Sequence, residues 1–181
     1  MNLKNHFLIA MPHLSDDIFG KSLIYICDHD EKGAMGIIVN KLIPSTSINE
    51  VLQETGLNQV YPKIELCLGG PVQLEHGFIL HDNSYRTTGT YPISDNVLLT
   101  VNEKIIYDII SGNGPKQFRI ALGYAGWEKG QLNREVENGD WLVMPATPEL
   151  IFSHDNDEKW ARATERFGIN MNDITGSIGL S

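Results

Sequence analysis

Short apolar runs alternate along this chain with turns that are rich in glycine, proline and acidic residues. Apolar or alternating runs of this length between such turns are typical of β-strands. They predict strands at residues 7–11, 22–27, 34–40, 64–68, 77–81, 97–101, 118–123 and 141–144. The charged turn 28–33, between the second and third runs, indicates a β-hairpin.

Apolar residues at helical spacing fill several of the intervals between these strands. They predict helices at residues 48–55, 103–110, 130–138, 148–152 and 157–167. In one of them Leu132 and Val136 share a stripe, and Gly139 follows where a left-handed residue often ends a helix. Residues 15–19 indicate a polar turn or a short helical piece, and the tail 174–181 is small and polar enough to be loose.

The order of these elements is irregular and contains a hairpin, so a purely parallel sheet is a poor fit. We therefore predict an α+β fold, a single domain over residues 1–181 with a mixed or barrel-like sheet surrounded by helices. At its centre a strand enters the sequence Gly-Tyr-Ala-Gly-Trp at 123–127, which we predict to be a turn before the next helix. Strand–turn–helix units of this kind often present functional groups.

The charge balance of the chain excludes some classes of function. The chain has 14 Lys and Arg against 23 Asp and Glu, a formal net charge of -9, and no cluster of basic residues. Direct duplex binding depends on neutralising phosphates, so we do not expect nucleic-acid binding. The apolar run at 7–11 is too short for a signal peptide or a membrane span. Cys27 and Cys67 lie in apolar runs, which indicates reduced thiols and a cytoplasmic location.

The sequence contains no complete motif for metal binding or catalysis. The acidic turn begins like a calcium loop, but Val39 occupies the position that requires a bidentate acid. His76 and His81 are spaced for neither one helical face nor one strand face, although His81 could reach a pocket. The contiguous Ser153, His154 and Asp155 cannot converge as a hydrolase triad. We therefore expect no metal, no cofactor and no catalytic residue.

Several segments, in order over nearly the whole chain, resemble the YqgE/AlgH family of bacterial proteins. They are Phe7 to Pro12, Asp28-His29, Gly33 to Gly36, Asn40, Gly69 to Val72, Gly77 to His81, Gly123 to Trp127, Gly130 to Leu132, Glu135 and Trp141-Leu142. Glu128 departs from the glycine or asparagine that is usual there. The resemblance implies a cytosolic α+β domain with a bifurcated sheet that closes in part as a small barrel. It implies no established enzymatic activity; one member is described as a regulator of alginate production, and relatives are often labelled transcriptional regulators.

Two functions are compatible with these observations. The first is a non-catalytic regulatory or interaction protein that acts through an unknown protein partner or a small ligand. The second is a ligand-binding protein, for a nucleotide or another small molecule and with hydrolysis left open, in which glycine amides hold an anionic group beside an aromatic pair. Its predicted residues are Asn40, Gly69, Gly70, Pro71, His81, Tyr124, Trp127, Gln131 and Glu135.

In that ligand site Tyr124 and Trp127 would provide stacking area, Gln131 and Glu135 would orient the ligand, and His81 or Glu135 would be the acid–base group. The competing interpretation is a tight structural corner without a ligand. The burial of these side chains distinguishes the ligand site from the structural corner. If the aromatic residues and His81 are all buried, or lie on opposite sides of the fold, there is no shared pocket.

Overall fold

The computed structural model describes residues 1–44 and 65–167. The predicted helix 48–55 and the predicted loose tail 174–181 lie outside these residues. The described part is a single α+β domain, in which a curled, mainly antiparallel sheet forms a half-barrel packed by helices. This confirms the predicted fold class.

The described residues contain nine strands and four helices. The strands are β1 (His6–Ala10), β2 (Leu23–Asp30), β3 (Gly33–Ile38), β4 (Leu66–Leu68), β5 (Val72–His81), β6 (Thr90–Pro92), β7 (Leu98–Thr100), β8 (Phe118–Glu128) and β9 (Trp141–Pro145). The helices are α1 (Lys104–Ile110), α2 (Gln131–Glu137), α3 (Pro148–Phe152) and α4 (Asn156–Glu165).

The strand order is β6-β7-β5-β8-β3-β2-β1-β9, and the short β4 adds to β8 as the parallel member. β8 is the longest strand and joins the two halves of the sheet. Its first half pairs with β4 and β5, and its second half pairs with β3. The bifurcation of the sheet therefore occurs along this strand.

Alternation along the strands divides the buried apolar residues between the two faces of the sheet. In β2, Leu23, Tyr25 and Cys27 join a first cluster with α3, whereas Ile24 and Ile26 join a second cluster with α2. A third cluster lies between α1 and the first half of β8, where Ile105 and Ile109 are buried. The apolar spacing of this helix is what the sequence predicted.

The predicted turn at 123–127 is wrong. The chain does not turn there; β8 continues to Glu128. Gly123 has φ +74, a left-handed conformation that glycine adopts without strain, and it shifts the alternation of side chains by one residue. Ala121 before it belongs to the first cluster, and Ala125 after it belongs to the second. The glycine-rich sequence marks a bulge inside a strand.

The acidic turn between β2 and β3 is also shorter than predicted. Asp28 to Asp30 belong to β2, and an irregularity in register lies between Ile26 and Asp28. The hairpin itself is confirmed. The strand β6 was not predicted, because its three residues are half-buried or exposed and show no apolar pattern.

Candidate functional site

The two glycine-rich segments predicted to form the site do meet in the fold. A Cβ atom on Gly70 would lie 2.1 Å from the carbonyl carbon of Tyr124, and one on Gly123 would lie 2.3 Å from the carbonyl oxygen of Gly70. Glycine is needed here because any side chain would overlap main-chain atoms. The Gly69 amide donates to the Leu122 carbonyl at 2.8 Å, so it is not free for an anion. This corner is closed by backbone contact.

Tyr124 and Trp127 lie on opposite faces of β8. Tyr124 packs against the first cluster, with its ring centroid 5.5 Å from that of Phe78. Trp127 belongs to the second cluster, with its ring 6.4 Å from that of Trp141. Residues at odd spacing in a strand face opposite sides, so this pair cannot stack on one ligand.

His81 and Asn40 are both committed to structural hydrogen bonds. His81 is fully buried; its Nε2 lies 2.7 Å from the Thr100 hydroxyl and its Nδ1 lies 2.8 Å from the Asp82 carbonyl. Burial lowers the pKa of His81, which favours a neutral ring. The Asn40 side chain accepts a hydrogen bond from the amide of Leu23, the first residue of β2, at 2.8 Å.

Gln131 and Glu135 make local hydrogen bonds next to α2. The Gln131 side chain accepts from the Glu128 amide at 2.9 Å, and Glu135 accepts from the Trp141 indole at 3.5 Å. Pro71 is exposed where the chain enters β5. The prediction that all nine residues share one cleft is therefore wrong. Of the nine, only Tyr124 and Trp127 line the cavity described next, and their rings pack on opposite faces of β8.

That cavity is a broad depression at the open end of the sheet face that carries the first cluster, with a volume of about 680 Å³. We call it the depression. Its floor is apolar and is made by Met35, Val72, Phe78 and Tyr124. Cross-strand pairing builds it, because β2, β3 and β8 place Asp28, Met35 and Gly126 side by side in one row. An apolar floor thus lies open at one end of the half-barrel.

The rim of the depression is acidic. Asp30, Gly33 and Glu128 form the cross-strand row two residues further along on the same face, so three carboxylates (those of Asp28, Asp30 and Glu128) surround the floor, with Lys32 as the basic residue among the described lining groups. This charge attracts cations and repels phosphates.

A second cavity of about 440 Å³ lies between β5, β8 and α1. We call it the groove. Its floor is apolar and comes from the third cluster: Leu66, Ile79, Ile106, Ile120 and Leu122. Its rim carries Gln73, Glu75, His76, Asn102 and Glu103. The rim exists because four residues of β5 bulge away from β8 between the paired residues Val72 and Gly77.

Gly77 and Gly126 distinguish these two cavities from the closed corner. Among the glycines within residues 1–44 and 65–167, only these two have neither a left-handed φ nor a crowded Cβ position. Chain neighbours aside, the described atoms that a Cβ on Gly77 would meet are those of Ile79 alone, at 3.9 Å, and one on Gly126 would meet those of Tyr124 alone, at 3.4 Å. Gly77 borders the groove and Gly126 borders the depression. Glycine weakens a strand, and where packing does not require it, it leaves room for an approaching group.

Comparison with known proteins agrees with the fold. A family model described as AlgH-like matches residues 7–172. The chain belongs to the AlgH-like family. UPF0301 proteins of Proteus mirabilis and Marinomonas are 40% and 41% identical to it; the first alignment covers 99% of both chains, and the second covers 98% of this chain and 96% of the relative. The solution structure of the AlgH protein from Pseudomonas aeruginosa matches with a TM-score of 0.77 and 34% identity, covering 97% of this chain and 94% of that one.

A protein from Corynebacterium diphtheriae, 23% identical, has the same fold with a TM-score of 0.71 over 91% of this chain and 86% of its own. The UPF0301 names of the relatives state no activity. Membership of the AlgH-like family therefore establishes the fold alone.

This AlgH-like chain also buries a polar cluster that was not predicted. Arg119 and Lys159 are buried, and both donate to the Ile151 carbonyl at the end of α3. Arg119 also donates to Glu65 at 3.2 Å and contacts the Ser153 carbonyl. Cations favour the carbonyl end of a helix, so this cluster is accounted for as a cap of α3. A lone arginine in the apolar run of β8 was the signal in the sequence.

Both thiols of this AlgH-like chain are buried and free. Burial raises the pKa of Cys27 and of Cys67, which disfavours reactive thiolates. In the described part of the chain, no group of three or more His, Cys, Asp or Glu side chains could hold a metal ion. No helix in residues 1–44 or 65–167 is long and apolar enough to cross a membrane.

Proposed function

We propose that this AlgH-like chain is a non-catalytic regulatory protein of the cytoplasm that acts by binding a partner protein at the depression. The observation that carries the proposal is the apolar floor of Met35, Val72, Phe78 and Tyr124, left open at the end of a sheet face and surrounded by acids. An apolar surface with a charged rim is typical of protein-binding sites. The depression is broad and open, which suits a protein surface better than an enclosed small molecule.

The chemistry of the depression specifies the partner. The floor accepts an apolar side chain, and the carboxylates of Asp28, Asp30 and Glu128 favour Lys or Arg beside it. The same carboxylates, with a net charge of -9, oppose direct binding to DNA. A regulatory role, as the family resemblance implies, would then be exerted through a basic segment of another protein.

A non-catalytic role is supported by the state of the predicted acid–base groups. His81 is buried with both ring nitrogens in hydrogen bonds, and Glu135 lies beside the indole of Trp141. Neither side chain lines the depression or the groove. The anionic ligand of the second hypothesis also has no support at these cavities, because both rims carry carboxylates.

A random peptide library displayed on phage tests the proposal with the purified chain as bait. We expect enriched peptides to combine Lys or Arg with Leu, Phe or Trp. Fluorescence anisotropy of the enriched peptides should show binding weakened by about tenfold or more in Asp28→Lys/Glu128→Lys, since like charges now face the peptide. Gly126→Val, which fills the depression, should weaken binding as well.

Two controls separate the depression from the rest of the surface. Glu137→Lys/Asp157→Lys makes the same change in charge at exposed positions of the helices α2 and α4, and Gly77→Val fills the groove instead. Both should retain peptide binding. Enriched peptides that bind equally well to Asp28→Lys/Glu128→Lys and Gly126→Val, or a library that yields no enrichment, would overturn the proposal.

A further inference from the structure

The groove is separate from the depression and has the size and the lining of a small-molecule site. Its volume of about 440 Å³ falls in the range of typical ligand pockets, roughly 300–1,000 Å³. Ile79 and Ile120 on its floor are buried side chains of the third cluster, while the side chains of the rim are polar. This combination of an apolar floor and a few convergent polar groups is the usual composition of a binding site.

The β5 bulge gives the groove its polar rim. Four residues, Gln73 to His76, are inserted between the positions that pair with β8, and all four are exposed. Gln73 has φ +51, a left-handed conformation that is unfavourable for a residue other than glycine. Bulges are common beside sites because they redirect side chains. Here the bulge places Gln73, Glu75 and His76 around the groove.

Gly77 keeps the groove open. Its backbone is not left-handed, and a Cβ there would have its nearest contact at 3.9 Å. Neither the bulge nor the packing therefore requires glycine, although glycine is unfavourable in a strand. A side chain at this position would project into the space of the groove. The absence of a side chain is explained if the space is used.

Charge restricts the ligand. Within residues 1–44 and 65–167, the ionisable residues that line the groove are Glu75, His76 and Glu103, and none is Lys or Arg. Two carboxylates disfavour an anionic ligand and favour an amine, and Gln73 and Asn102 can hydrogen-bond to its polar end. The apolar floor of the groove favours a ligand whose remaining part is apolar.

We propose that the groove of this chain binds a small amphipathic molecule with an apolar body and an amine as its polar end. The amine lies at the rim between the carboxylates of Glu75 and Glu103, and the body lies on Ile79, Ile106 and Leu122. This site is independent of the partner surface, because the depression is lined by other residues apart from Phe78, which borders both cavities.

Three probes of eight carbon atoms each test this assignment: octylamine, octanol and octanoate. Binding is measured by calorimetry and by amide chemical shifts of the wild-type protein. We expect octylamine to bind most tightly, octanol more weakly, and octanoate at least about tenfold more weakly than octylamine, because the polar end changes from a cation to a neutral group to an anion beside two carboxylates. The shifted amides should be those of Gly77, Ile79, Ile106 and Leu122.

Variants at the two glycines locate the site. Gly77→Val should abolish octylamine binding, Gly77→Ala should weaken it, and Gly126→Val should leave it unchanged because it fills the depression. Glu75→Gln/Glu103→Gln should remove the preference for octylamine over octanol while both still bind. Should Gly77→Val fail to fold, Gly77→Ala and the wild-type shift map decide the question.

The proposal is overturned if none of the three probes binds, if octanoate binds as tightly as octylamine, or if Gly77→Val retains binding. Shifts confined to the depression would also overturn it. Because peptide binding at the depression is measured with other probes and another variant, failure here leaves the proposed partner surface to its own test.

Discussion

Arg119 and Lys159 donate hydrogen bonds to the same acceptor, the Ile151 carbonyl oxygen, at 3.3 and 3.0 Å. Two cationic side chains, one from β8 and one from α4, therefore meet at the carbonyl end of α3. Lys159 also donates to the Val39 carbonyl at 3.1 Å and is fully buried. Burial, reinforced by the charge of Arg119, lowers the pKa of Lys159 to about 7.

The first prediction concerns the pH dependence of stability. Because the pKa of Lys159 is about 7 in the folded protein and near its ordinary value of 10.5 in the unfolded chain, the unfolded chain binds more protons between these values. The free energy of unfolding should therefore rise with pH from about 7 to about 10, by at most about 1.4 kcal/mol per pH unit from this group. In Lys159→Met this contribution should be absent.

Urea denaturation at several pH values in this window measures the effect as the difference in slope between wild type and variant. Lys129→Met, at an exposed lysine, is the matched control and should keep the wild-type slope. A slope in Lys159→Met equal to that of wild type would show that this ammonium group is not desolvated in the folded state.

Apolar periodicity was enough to predict most strands and helices because those patterns report burial on one face, as at Leu132 and Val136 of α2. It could not predict that β8 continues past Gly123. Whether a glycine ends a strand or bends it depends on pairing with β3 and β5, which are distant in sequence. The predicted cleft failed for the same reason, since the extended strand sends Tyr124 and Trp127 to opposite faces.

The second prediction tests the closed glycine corner. Gly70→Ala should destabilise the fold by about 3 kcal/mol or more, because the added Cβ would overlap the carbonyl of Tyr124 at 2.1 Å and the contact is with backbone. Gly112→Ala is the control; its left-handed φ of +81 carries strain, but no described atom outside the neighbouring residues would lie within 4 Å of the added Cβ, so a loss of about 1 kcal/mol is expected. Equal losses in a urea titration would refute the close contact.

The third prediction concerns acid. Burial lowers the pKa of His81 below its usual 6.5, so the unfolded chain takes up this proton first as the pH falls. Stability should therefore decrease below about pH 6.5, and His81→Gln should weaken that decrease. His29 is buried with a lowered pKa too, so part of the acid sensitivity should remain. Thermal unfolding between pH 7 and 5 measures this, with the exposed His76→Gln as the control that should behave as wild type.

The fourth prediction concerns DNA. With a net charge of -9 and an acidic rim at both cavities, the chain should form no specific complex with duplex DNA at physiological salt. Gel-shift assays with fragments of the source genome provide the measurement. A sequence-specific complex whose affinity falls steeply with salt would contradict both this expectation and the view that regulation is exerted through a partner protein.

The last prediction connects stability with function at Gly77 and Gly126. Valine is favoured in strands and glycine is not, and a Cβ added at either position would come no closer than 3.4 Å to a described atom outside the neighbouring residues, without a left-handed φ. Gly77→Val and Gly126→Val should therefore each stabilise the fold by up to about 1 kcal/mol, a rise in Tm of roughly 2–4 °C. Each should lose only the binding assigned to its own cavity, peptide for Gly126→Val and octylamine for Gly77→Val. A glycine that lowers stability and is required for binding is a residue kept for its function. If either variant is markedly destabilised instead, that glycine is structural, and the missing side chain no longer supports a site there; the binding measurements on the wild-type protein then decide whether the cavity is used.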